Sequence, residues 1–141
     1  LVARNAHLNL NRMGGRVDEY VVAMYGEGTN SPLQGDMPTD RFVITWAVDP
    51  ARVAAPLDAI PPGTPLAVGH DAEPLALVDA PRVGIRVPRD ISALAAADLV
   101  TARRWRYATR RAFTHYLPNG YQVRGFVADA SGGTYLLERH A

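Results

Sequence analysis

The spacing of apolar positions divides the chain into a short helix, two early strands and a later strand-and-helix unit. Ala3, Ala6, Leu10 and Met13 recur at i, i+3, i+7 and i+10, which is one face of a helix over 3–13. Gly14 and Gly15 then supply a helix stop, because glycine takes the left-handed position past a helix end without steric cost. The period changes to two directly afterwards. Val17, Glu19, Val21, Ala23 and Tyr25 share one side and Asp18, Tyr20, Val22 and Met24 the other, which predicts a strand. Phe42, Ile44, Trp46 and Val48 alternate with Val43, Thr45 and Ala47 in a second strand. The polar, glycine-containing stretch 26–40 between them is about fifteen residues, long for a hairpin connection.

Asp49 and Pro50 suit the N-cap and first position of a short helical turn. Prolines 56, 61, 62, 65 and 74 follow, and 54–73 is predicted as a linker, since proline removes a donor and restricts its predecessor. The remainder, 74–141, reads as a ββαββ unit able to bury one helix face on a small antiparallel sheet. Its strands fall at 75–78, 83–87, 121–129 and 134–139, and Ala130-Ser131-Gly132-Gly133 joins the last two as a hairpin.

The helix of that unit, over about 95–116, carries Arg103-Arg104-Trp105-Arg106-Tyr107-Ala108-Thr109-Arg110-Arg111. Arginine interleaved with aromatic residues suggests nucleic acid, and the helical wheel weakens that reading. Ala102, Trp105, Thr109, Ala112 and Tyr116 form one face, with Arg103, Arg106 and Arg110 on one shoulder and Arg104 and Arg111 on the other. Arginines flank the core stripe of an amphipathic helix in this way. They are alternatively placed to meet an acidic substrate or a phosphate.

Charge supports the weaker role for nucleic acid: the formal net charge of the 141 residues is only +1. A hydrophobic content of 48% is ordinary for a globular chain. The absence of cysteine excludes disulfides, thiolate metal sites and cysteine nucleophiles. No apolar run is long enough to span a membrane as a helix and no signal-peptide pattern is present, so a cytoplasmic protein is expected. His70, Asp71 and Glu73 are the one His/carboxylate cluster, without further ligands at usable spacing, and a solvated turn is expected there.

The opening unit resembles the fourth helix and following strand of the GCN5-related N-acetyltransferase (GNAT) superfamily. That helix carries an Asn-x-x-Ala-x-x-Leu-Tyr-x-Lys-Leu-Gly-Phe-like pattern, onto which Ala6, Arg12, Met13 and Gly14 match without a gap. Ala3, Leu10 and Gly15 stand at the asparagine, tyrosine and phenylalanine positions and depart from it. The segments Met24-Tyr25-Gly26, Ser31-Pro32-Leu33-Gln34-Gly35 and Pro38-Thr39-Asp40-Arg41-Phe42-Val43-Ile44-Thr45-Trp46, and Leu136-Leu137-Glu138-Arg139 at the end, are similar to a bacterial branch of predicted GNAT acetyltransferases.

The resemblance implies an α+β protein: residues 1–53 as the C-terminal portion of a GNAT-like mixed sheet, 54–73 as linker, and 74–141 as the ββαββ subdomain. It implies acetyl-CoA as co-substrate and a small-molecule or peptide amine as acceptor. Asn5 and Asn9 would hydrogen-bond a pantetheine amide, or else cap and solvate their helix. Asp40 and Arg41 would touch the acceptor, or else form an ion pair that orders the loop before them. The family's general acid is a tyrosine, whose position Leu10 fills, so the catalytic acid is unassigned. Its pyrophosphate loop, Arg/Gln-x-x-Gly-x-Gly/Ala before a helix, does not occur in the chain and would lie upstream, in a missing N-terminal part of the same protein. A non-catalytic interaction or ligand-binding module with the same architecture is the alternative, and assembly with further copies of the chain stays open.

Overall fold

The computed structural model describes residues 15–21, 40–46 and 57–139. The helix pattern at 3–13, with Asn5, Asn9 and Leu10, lies outside the described residues. Strand β1, Gly15–Val21, begins at the second glycine of the stop and pairs antiparallel with β2, Arg41–Trp46. Their register runs from Gly15 opposite Trp46 to Val21 opposite Arg41, with a bulge between Val17 and Glu19 that interrupts the strict alternation read from the sequence.

The larger unit is a four-stranded sheet in the order β3-β4-β6-β5. Its strands are β3 (Leu66–Val68), β4 (Arg82–Pro88), β5 (Tyr121–Asp129) and β6 (Gly132–Arg139). β3 runs parallel to β4, and β6 is antiparallel to both β4 and β5, so the sheet is mixed rather than antiparallel throughout. β4 and β5 therefore point the same way, with a helical crossover between them and the β5–β6 hairpin returning into the gap. The observed class is α+β.

Two expectations are corrected here. The first strand of the ββαββ order comes from 66–68, inside the expected linker, and 75–78 forms no strand. Leu75 N–H reaches Ala67 O, but Val78 N–H turns back to Ala76 O at 3.1 Å, so the segment curls instead of extending a ladder. Tyrosines hold it down: the Tyr116 hydroxyl donates to Val78 O at 3.0 Å and the Tyr121 hydroxyl to Ala80 O at 2.6 Å. Proline density upstream did not prevent a strand, because 66–68 has no proline of its own.

The single expected helix is two. Helix α1, Ile91–Ala97, starts at Asp90, whose carboxylate accepts from Ser92 N–H and Ala93 N–H, both at 3.0 Å. Asp98 ends it in an extended conformation and caps α2, Leu99–Tyr116, by accepting from Thr101 N–H at 3.1 Å and the Thr101 hydroxyl at 2.6 Å. A residue whose side chain satisfies the next helix's free N–H groups competes with continuing the previous one. After α2 a 3-10 turn, Leu117–Asn119, contains Pro118 and closes on Gly120 at φ 86°, a left-handed conformation that favours glycine.

The core lies between α2 and one face of the sheet. Ala102, Trp105, Ala108, Ala112, Phe113 and Tyr116 pack toward Val83, Ile85, Val87, Phe126, Tyr135 and Leu137. Phe113 meets Tyr135 edge-on at 5.4 Å, and Tyr116 meets Tyr121 at 4.8 Å. Each such fully buried side chain stabilises the fold by about 1.5–3 kcal/mol relative to exposure. β4 is buried from Val83 to Val87, as a strand covered on both faces must be. On β6 the Phe126 ring occupies the space a side chain at Gly133 would need.

Candidate functional site

Polar groups converge where the β1–β2 pair meets α2. Tyr20, one residue before the end of β1, stacks on Phe113 at 5.1 Å with an interplanar angle of 22°. Asp40, immediately before β2, is 0% exposed. Its carboxylate accepts from the Tyr20 hydroxyl at 2.8 Å, from Arg110 Nε at 3.1 Å and from Arg110 Nη2 at 3.0 Å. Arg106 Nη1 donates to the Asp40 carbonyl oxygen at 3.4 Å.

This arrangement is a closed clasp between segments far apart in sequence. A fork from Arg110 onto both oxygens is the strong, geometrically specific form of an arginine–carboxylate pair. Burial, with the Asp40 charge beside it, pushes the Tyr20 phenol far above its ordinary pKa, so the proton stays on oxygen and is shared with Asp40. Burial raises Tyr135 as well. A tyrosine held neutral can act as a general acid, but the Tyr20 hydroxyl already donates its hydrogen bond to a carboxylate, in a site without solvent access at Asp40. The clasp fixes position; it does not present a free acid or base.

Asp40 thus lies in the core edge, and Arg110, seventy residues away, pairs with it. Arg41 is the first residue of β2, opposite Val21. Asn5 and Asn9 lie outside the described residues. His70, Asp71 and Glu73 form a local turn in which Asp71 N–H donates to Glu73 Oε2 at 2.8 Å, and among the described residues no His/Asp/Glu group gathers to hold a metal ion.

The Tyr20–Asp40–Arg106–Arg110 set was not assembled from the sequence, although a signal existed. Arg106 and Arg110 stand at i and i+4 on a helix that contains no carboxylate, so a buried shoulder required an acid from elsewhere. The predicted core face of α2 is observed, widened by Ala108, Phe113 and Arg106.

A second cluster sits at the β5–β6 hairpin. Arg86, 3% exposed on β4, donates through Nη2 to Ser131 Oγ at 2.9 Å and through Nη1 to Thr134 Oγ1 at 3.1 Å, and pairs with Asp129. The hydrogen bond from Arg86 is the main cause that holds the Asp129 carboxyl down at about 2, well below its usual value.

The described residues do not fit the pyrophosphate of acetyl-CoA. Both described α-helix N-termini, which would be the cradles for such an anion, are filled by their own carboxylates, Asp90 and Asp98. No helix among the described residues is long and apolar enough to cross a membrane. Comparison with protein-family models, with curated proteins and with solved structures finds no match to the chain.

Proposed function

We propose that the chain is the acceptor-side, C-terminal part of a GNAT-like protein that transfers an acetyl group from acetyl-CoA to an amine. The observation that carries this reading is the strand that begins at Gly15 and pairs with Arg41–Trp46. Together with the helix pattern before it, this is the helix–strand–loop–strand order that the resemblance implies.

In this reading Asn5 and Asn9 face the pantetheine arm, and the phosphate-binding loop belongs to sequence upstream of the chain. Asp40 is the post that fixes where β2 begins, so that Arg41 takes a defined place beside the acceptor. The chain's contribution is orientation of the amine, which is worth several orders of magnitude in rate when the geometry is held.

A second reading is a non-catalytic module of the same architecture. It is favoured by Leu10 at the family's tyrosine position and by the commitment of the Tyr20 proton to Asp40.

Calorimetric titration of acetyl-CoA into the 141-residue chain and into the longest polypeptide of its source gene separates the two. The acetyltransferase reading expects binding on the order of micromolar by the long form and little by the short one. Absence of binding by either sinks it in favour of the module.

A further inference from the structure

Helix α2 has a solvent-facing side that the clasp and the core do not use. Its described exposed residues include Val100, Arg104, Tyr107 and Arg111, which fall at i, i+4, i+7 and i+11 and so form one stripe along the helix. At about 1.5 Å per residue the stripe is ~17 Å long. Val100 is 70% exposed and Tyr107 49%, and they are two of the three large hydrophobic residues found exposed among the described residues. Apolar and cationic groups alternate along it.

The stripe is held in place from below. Arg110, anchored on Asp40, lies 5.0 Å over the Tyr107 ring, and Arg111 Nη1 donates to Leu75 O at 3.0 Å. Tyrosine and arginine on a rigid element are the side chains that dominate binding energy at interfaces. Five of the chain's fifteen basic residues, all arginines, fall within 103–111, and neither α1 nor α2 contains a carboxylate.

We propose that this stripe docks an acidic amphipathic helix of a partner protein, with apolar residues set on Val100 and Tyr107 and carboxylates on Arg104 and Arg111. Charge complementarity selects the occupant. Arg104 acts on both Asp98 and Glu73, so these two carboxylates flank the basic positions. A uniformly anionic polymer such as nucleic acid meets that repulsion along its whole backbone. A helix bearing acids only at the matching spacing does not. Val100 offers nothing to a phosphate chain and a full contact to a leucine. A second copy of α1 or α2 supplies no acid. The contact is small, so a transient interaction in the micromolar range or weaker is expected. It is independent of the acetyl-transfer reading.

The test uses the 141-residue chain and synthetic helical peptides followed by fluorescence anisotropy. One peptide carries leucine and glutamate in the alternation of the stripe; another has lysine in place of each glutamate; a third probe is a single-stranded oligothymidylate. Binding of the glutamate peptide alone is expected, weakening as salt rises. Val100→Ser with Tyr107→Ser, and separately Arg104→Glu, each reduce it roughly tenfold or more, consistent with loss of one anchor. All three positions are exposed, and an unchanged thermal melt verifies the fold. The proposal is overturned if the oligothymidylate binds more tightly than the glutamate peptide, if both peptides bind alike, if neither peptide binds, or if the variants leave the affinity unchanged.

Discussion

Two interior ion pairs among the described residues are mirror images. At the clasp between the β1–β2 pair and α2 the carboxylate is sealed and the arginine partly wet, with Asp40 side-chain exposure 0% and Arg110 20%. At the β5–β6 hairpin the arginine is sealed and the carboxylate wet, with Arg86 4% and Asp129 44% exposed. The buried member dictates how much each pair matters, because removing its partner leaves a charge out of water with nothing to neutralise it. Among the described residues the Asp40 carboxylate is met by the Arg110 fork and the Tyr20 phenol. Arg86 retains two hydroxyl acceptors, Thr134 and Ser131, whatever happens to Asp129.

The comparison therefore breaks first at Arg110. Arg110→Met is expected to cost about 3–5 kcal/mol, measured by denaturant unfolding, as for other buried pairs that lose one partner. Adding Asp40→Asn in the same chain should recover a large part of that loss, since an amide can still accept from Tyr20 without carrying an unpaired charge. If the double variant is no better than the single one, the cost lies in arginine packing and the clasp is not electrostatic.

Asp129→Asn tests the other half, and a smaller effect, about 1–2 kcal/mol, is expected after allowance for solvent screening at the exposed carboxylate. Its pH dependence has a definite sign. The carboxyl lies at about 2 when folded against an ordinary value of 3.8, so between those pH values the unfolded chain binds more protons. The stabilisation is complete above the unfolded value and is lost as pH falls through about 2. The gap between parent and variant should shrink over that window; a gap constant with pH would show that the pair is not its source.

What was legible in the sequence follows the same division between local and distant causes. The strand after the glycine pair, the β5–β6 hairpin and the core face of α2 depend on neighbours within one or two turns, and all three are observed. The strand at 66–68 was hidden because a three-residue parallel strand has no room for a period, and only its pairing with β4 distinguishes it from the surrounding loop. The break at Asp98 was readable in principle, as a cap residue within a helical pattern, but alanine-rich flanks masked it. The clasp was not readable as a unit. Arg110 stands seventy residues from Asp40, and only the packing of α2 brings the two together.

A third pair supplies the baseline for both. Arg82 and Glu138 face each other across β4 and β6, at 3.1 Å, with side chains 54% and 36% exposed. Neither partner is taken out of water, so neither is stranded when the other is removed. A double-mutant cycle of Arg82→Ala and Glu138→Ala is expected to give a coupling of about 0.2–1 kcal/mol, the range of exposed pairs, and to vanish in high salt. Salt should leave the Arg110–Asp40 effect nearly intact, because screening acts through solvent that does not reach Asp40. If the surface pair couples as strongly as the clasp, then strand register rather than burial sets the scale, and the ranking of all three pairs must be rebuilt on sheet geometry.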